Sequence, residues 1–166
     1  YCGSYQPKAY IGISGGINYK TFDFSIDLYS NIGNQVYNGK QQARIVATDN
    51  IEESIATSYW TQQNKSNTQP AANSGNQAAS SYYIASGTFV RINNITIGYT
   101  FPQRILKRQK VFSDCRIFLN AQNPVTLKKY DGFSSELPGS SSTNAGIELG
   151  TYPTVRTFAL GVNLSL

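Results

Sequence analysis

The stretch AYIGISGGINYKTFDFSIDLY, Ala9–Tyr29, decides the fold class. In its first half Ala9, Ile11, Ile13, Gly15, Ile17 and Tyr19 alternate with Tyr10, Gly12, Ser14, Gly16 and Asn18. In its second half Phe22, Phe24, Ile26 and Leu28 alternate with Asp23, Ser25 and Asp27. Strict period 2 is the signature of strands with one apolar and one polar face. The short break at Lys20-Thr21 joins them as a β-hairpin.

The same period recurs further along. Ile95, Ile97, Tyr99 and Phe101 share a face, with Val90 and Ile92 out of phase, so a β-bulge is expected near Asn93-Asn94. Cys115, Ile117, Leu119 and Ala121 alternate with Asp114, Arg116, Phe118, Asn120 and Gln122. The cleanest strand is the last, where Phe158, Leu160, Val162, Leu164 and Leu166 alternate with Ala159, Gly161, Asn163 and Ser165. The expected strands are 9–19, 22–29, 88–101, 113–123 and 155–166. Long loops are expected over about 30–87 and 124–154. Within the first loop, Asn50–Tyr59 carries a helical pattern, with Asn50 as cap, Glu52 and Glu53 in the first turn, and Ile51, Ile55 and Tyr59 spaced by four. Residues 64–81 are a low-complexity run of Asn, Ser, Gln and Ala.

Composition removes several function classes. The chain of 166 residues has no His, which excludes imidazole acid–base chemistry and His-bound zinc. Two cysteines make neither a thiolate zinc cluster nor a disulfide framework, and whether Cys2 and Cys115 pair stays open. Charged residues are only 14% while aromatics reach 13%. No apolar run is long enough for a membrane-spanning helix. The chain opens on Tyr1 without a visible signal peptide and reads as a mature chain or a fragment. The net charge of +5 has one local cluster, Arg104, Lys107, Arg108 and Lys110. It reads as a solvated turn rather than a polyanion patch, because the interleaved aromatics of a nucleic-acid surface are missing.

The connections alternate between short and long, the habit of transmembrane β-barrels with short periplasmic turns and longer outer loops. Tyr19, Phe22, Tyr99, Phe101 and Phe112 gather at the short-turn ends, as an interfacial girdle would. The fold expected is all-β: antiparallel up-and-down strands forming the last five or so strands of a large transmembrane barrel. The competing reading is a soluble β-sandwich that buries the apolar faces in its own core.

An ordered set of motifs adds to this. FDFSIDLYSNIGNQVYN (Phe22–Asn38), YWTQQN (Tyr59–Asn64), FVRINNITIGYTFP (Phe89–Pro102), RIFLNAQNPVTLKKYDG (Arg116–Gly132) and YPTVRTFALGVNLSL (Tyr152–Leu166) together resemble the C-terminal end of SusC/RagA-type TonB-dependent outer-membrane transporters of Bacteroidetes. The resemblance runs from about Ala9 to Leu166. The chain departs from the family in ending on Leu166 rather than an aromatic, and in lacking a D-P-E after Gly132, although Glu136 is present. The resemblance implies a barrel of about 22 strands closed by a plug. It implies import of glycans or peptides with a SusD-like surface lipoprotein, energised through TonB, in the bacterial outer membrane. The partners it implies are the remaining strands and plug, the lipoprotein, TonB through a segment absent here, an oligosaccharide or peptide substrate, and the lipid bilayer. Nucleic acid and cofactors are not among them.

An enzyme is disfavoured. Asp23 and Asp27 share a strand face but stand about 13 Å apart along it, whereas glycosidase carboxyl pairs need roughly 5 to 9.5 Å. No phosphate-binding loop or nucleophile elbow occurs. No catalytic or metal site is expected. The ligand- or partner-binding candidates are Tyr59, Trp60, Tyr82 and Tyr83, aromatics set among polar residues of the 30–87 loop. Tyr59 and Trp60 could instead simply pin the loop to the barrel rim. The barrel-closing, lipid-facing strand is expected to present Phe158, Leu160, Val162, Leu164 and Leu166. A soluble carbohydrate-binding or adhesin-like module is the alternative function.

Overall fold

The structure, a computed structural model, describes residues 2–44, 50–51, 53–72, 78–107, 112–137 and 144–165. Its strands are β1 (Ala9–Tyr19), β2 (Phe22–Ile32), β3 (Gln35–Asn38), β4 (Ile84–Ser86), β5 (Phe89–Thr100), β6 (Asp114–Lys128), β7 (Ile147–Glu148) and β8 (Thr157–Ser165). Short helices are α1 (Gly39–Arg44), α2 (Glu53–Ala56) and α3 (Gln103–Leu106), and a 3₁₀ turn covers Ser81–Tyr83.

Five strands form one open antiparallel sheet in the order β1-β2-β5-β6-β8. Neighbours in the sheet follow one another up and down, the arrangement of a barrel wall. The register aligns the apolar residues into rows. One row runs Ile17, Phe24, Ile97, Leu119 and Leu160, and another runs Tyr19, Phe22, Tyr99, Ile117 and Val162. Because opposed residues share a face, one side of the sheet is continuously apolar.

That apolar side is uncovered. Ile17 is 64% exposed, Leu119 47% and Leu160 74%. A sandwich would bury this face beneath a second sheet, so the soluble β-sandwich is not the fold of this chain. At the hairpin end the rings of Phe22 and Tyr99 lie 4.8 Å apart, and those of Tyr99 and Phe101 lie 5.1 Å apart.

The pairing slips between Ile92 and Asn94, leaving Asn93 as an extra residue against β2. This bulge brings Val90 and Ile92 back onto the apolar side, opposite Leu127 and Val125. β6 runs on to Lys128, beyond the expected end at Asn123. Asn123 adopts a left-handed φ of 50°, and the β5 register steps from Gln122 to Val125 across it. β6 pairs with β8 only as far as Thr157, so Pro124 removes no rung from either ladder.

The 30–87 and 124–154 segments are not plain loops. β3 pairs antiparallel with β4 and parallel with β7, giving a small second sheet in the order β4-β3-β7. Val36, Tyr83, Phe89 and Tyr130 are buried around it. The helical pattern at Asn50–Tyr59 yields a single turn at Glu53–Ala56, with Glu52 outside the described residues. Four residues give no room for a packed amphipathic face, and Ile55 alone is buried. In the basic cluster, Arg104 and Lys107 are exposed at α3, while Arg108 and Lys110 lie outside the described residues. Cys2 and Cys115 are both free thiols.

Candidate functional site

The four candidate aromatics divide into two kinds. Tyr59 and Tyr83 are 8% and 3% exposed, so they pack rather than offer ring faces. Trp60 and Tyr82, at 41% and 43%, remain open. Both residues are held by the same stretch of chain. The Trp60 backbone N–H donates to the Pro70 carbonyl at 3.1 Å, and Trp60 bridges to Ala71. The Tyr82 hydroxyl lies 2.7 Å from both the Thr68 carbonyl and Gln69 Oε1. A ladder of edge-on rings runs inward from there, with Tyr82 to Tyr83 at 5.0 Å and Tyr83 to Tyr37 at 5.9 Å. Burial pushes the Tyr82 and Tyr83 phenols above their ordinary range, and each is raised further by a neighbouring tyrosine. A groove of about 320 Å³ beside Tyr82 is lined by serine, threonine and amide side chains with no formal charge. Such a surface can stack on a flat ring or pack against a partner.

On the polar side of the main sheet, Arg116, which sequence patterning placed on this face, and Arg91, which it did not single out, find specific partners. Arg116 donates to Asp23 through Nε at 2.9 Å and Nη2 at 2.5 Å, a bidentate pair. Arg91, only 9% exposed, donates from Nη1 to Glu136 Oε2 at 2.7 Å and from Nε to Asn93 Oδ1 at 2.8 Å. Its guanidinium lies within 6 Å of the Tyr29 and Phe89 rings, at 5.8 and 5.5 Å. Asn120 on β6 donates to Asn94 and Thr96 on the adjacent β5. Asp27, the other carboxylate considered for catalysis, lies opposite Asn94 rather than beside a second carboxyl.

In the last strand Phe158, Leu160, Val162 and Leu164 are all more than half exposed on the apolar side, opposite Ala121, Leu119, Ile117 and Cys115. Leu166 lies outside the described residues. The loops above are pinned by Glu148, which is fully buried. Its carboxylate accepts from the Tyr130 hydroxyl at 3.1 Å and from the backbone N–H groups of Gly150 and Thr151 at 2.7 and 2.9 Å.

The TonB-dependent receptor SusC of Bacteroides thetaiotaomicron is 31% identical over 157 residues, covering 93% of this chain and 15% of its own length. The chain is homologous to a stretch of the TonB-dependent receptors. The TonB-dependent receptor P3 of Formosa agariphila is 25% identical over 168 residues, covering 98% of this chain and 17% of its own. The chain thus spans about a sixth of the length of these relatives. No family model matches it. Among solved structures, the RagAB peptide importer in its open-open state superposes with a TM-score of 0.78 at 21% identity, over 99% of this chain and 18% of the matched chain. Its closed-closed state gives 0.78 at 22% identity. That likeness concerns the fold: the open five-stranded sheet is a sector of a barrel wall. Both relatives carry the name of TonB-dependent receptors.

Proposed function

We infer that the chain is the C-terminal sector, residues 1–166, of a TonB-dependent transporter in the bacterial outer membrane. The transporter imports glycans or peptides together with a SusD-like surface lipoprotein. The observation that carries this reading is the unbroken apolar face across all five strands, backed by a polar face rich in cross-strand hydrogen bonds. Lipid suits the first and a water-filled, plugged lumen suits the second. The remaining strands and the plug complete the wall, because an open edge in lipid leaves backbone groups unsatisfied at several kcal/mol each. β8 is the closing strand and presents Phe158, Leu160, Val162 and Leu164 to lipid. The long segments 30–87 and 124–154 face outward. Trp60 and Tyr82, supported by Tyr59 and Tyr83, form the surface for the lipoprotein or the substrate. TonB engages a segment outside this chain.

The test is made with the complete protein in its own cells. It should fractionate with outer membranes as heat-modifiable folded protein, and growth on its substrate should require TonB. Recovery in the soluble fraction, or uptake indifferent to TonB loss, defeats the reading.

A further inference from the structure

Among the described residues, three buried side-chain atoms lack a hydrogen-bond partner within the chain: Asn31 Oδ1, Asn34 Oδ1 and Ser135 Oγ. Their residues are 7%, 5% and 5% exposed. All three residues line one cleft of about 300 Å³. An unmet buried polar group costs roughly 1 to 3 kcal/mol, so three in one place mark a site rather than scattered packing faults.

The cleft is a built feature. One wall is the N-terminal segment, tied down by Gln35 N–H to the Ser4 carbonyl at 2.7 Å and Lys8 N–H to the Ile32 carbonyl at 2.8 Å. The opposite wall closes where Tyr5 sits against Gly146, which has φ 79° and where an added Cβ would come within 2.3 Å of Tyr5 Cβ. Tyr10 pairs with Asn31 across β1 and β2 on the polar side of the sheet, at the end facing the loops. Tyr5 and Tyr10 are 48% and 65% exposed and stand at the opening.

The chemistry of the lining selects a ligand. Two amide oxygens call for donors, and the Ser135 hydroxyl can give or take a proton. Among the described residues lining the cleft, the one carboxylate, Glu136, is already paired with Arg91 at 2.7 Å, and there is no lysine or arginine. A free carboxylate or an ammonium therefore has no counter-charge here. A ring bearing several hydroxyls meets both the acceptors and the tyrosine faces. We propose that this cleft is a binding site for a neutral saccharide unit at the mouth of the lumen. The proposal rests on the transporter reading for that placement.

The experiment uses the complete receptor carrying this chain, purified in detergent. Binding is measured by calorimetry with neutral gluco-, manno-, galacto- and xylo-hexaoses, an oligogalacturonate, and an end-blocked neutral hexapeptide. At least one neutral hexaose should bind. Its affinity should fall about tenfold or more in the Asn31→Ala/Ser135→Ala double variant. Tyr10→Ala, which removes an exposed ring and leaves the interior intact, should lower it several-fold. Arg104→Ala, at the hairpin end of the sheet, should leave it unchanged. The proposal is overturned if no neutral hexaose binds, if neither variant weakens binding, or if the oligogalacturonate or the peptide binds as tightly with the same dependence on Asn31 and Ser135. Binding is read without energised membranes, so a receptor that binds but fails to import defeats the transporter reading alone.

Discussion

Asp23 on β2 and Arg116 on β6 grip each other across an entire strand, passing directly over Gly98 of β5. A Cβ at Gly98 would lie 2.3 Å from Asp23 Oδ1 and 2.6 Å from Arg116 Nη2. The pair exists because that position has no side chain. Gly98→Ala should therefore lower the heat-resistant folded fraction of the complete receptor. Gly12→Ala, where a Cβ meets nothing within 4 Å, should be tolerated. Equal behaviour of the two variants in gel-shift assays of outer membranes would separate the ion pair from barrel stability.

The two faces of β8 should respond to charge in opposite ways. Leu160 and Val162 stand on the apolar side, and a cation facing lipid near the midplane costs roughly 2 to 4 kcal/mol. Leu160→Arg or Val162→Arg should sharply reduce assembled barrel, whereas Asn163→Lys on the polar side should be milder. The measurement is heat-modifiable protein in outer membranes. Indifference to which face carries the charge would contradict the assigned orientation.

Exposure distinguishes the loop aromatics. Trp60→Ala and Tyr82→Ala remove open rings, so they should weaken uptake or lipoprotein association while abundance holds. Tyr59→Ala removes a buried ring, and a large-to-small change there costs several kcal/mol, about 3 to 5 in well-packed aromatic sites. Its abundance should fall first. Parallel uptake assays and immunoblots of the same strains read both effects.

Glu148→Gln should loosen the outer segments without touching the wall. The substitution replaces a charged acceptor by a neutral amide, whose oxygen accepts more weakly from Gly150 and Thr151 and whose nitrogen no longer accepts from the Tyr130 hydroxyl, at roughly 1 to 3 kcal/mol for the bond lost. Hydrogen exchange at Gly150 and Thr151 should rise, while exchange in β5 and β6 stays unchanged. Matching protection in both proteins would assign the pinning to Tyr130 packing alone.

The wall was legible because each of its strands is nine or more residues long and carries period 2 along most of that length. Even the bulge at Asn93 announced itself as a phase change. The small sheet was not legible, for β7 has two residues and β4 three, too few to show a period. β3 also pairs with β7 far along the chain, by contacts that no local pattern encodes. For the same reason Asp23 and Arg116 could be placed on one face but not matched. Asn31 and Asn34 were not legible either, since an asparagine's preference for turns is local while an unmet amide oxygen is a property of the folded surroundings.

The small sheet also bears on the order of events during folding. β3 follows β2 almost immediately and β4 precedes β5 as closely, so the β3–β4 rungs prolong the β2–β5 ladder. β1–β2 is a hairpin that can zip within its own neighbourhood. β2–β5 must first bring together segments separated by the whole 33–88 excursion. Lengthening such an excursion raises the entropic toll only slowly, by about 0.6 kcal/mol per doubling. The delay in finding a distant partner is the greater burden. Rungs beyond the end of the wall give that encounter extra contacts in which to take hold, and the excursion is then free to vary in length without changing which two strands meet.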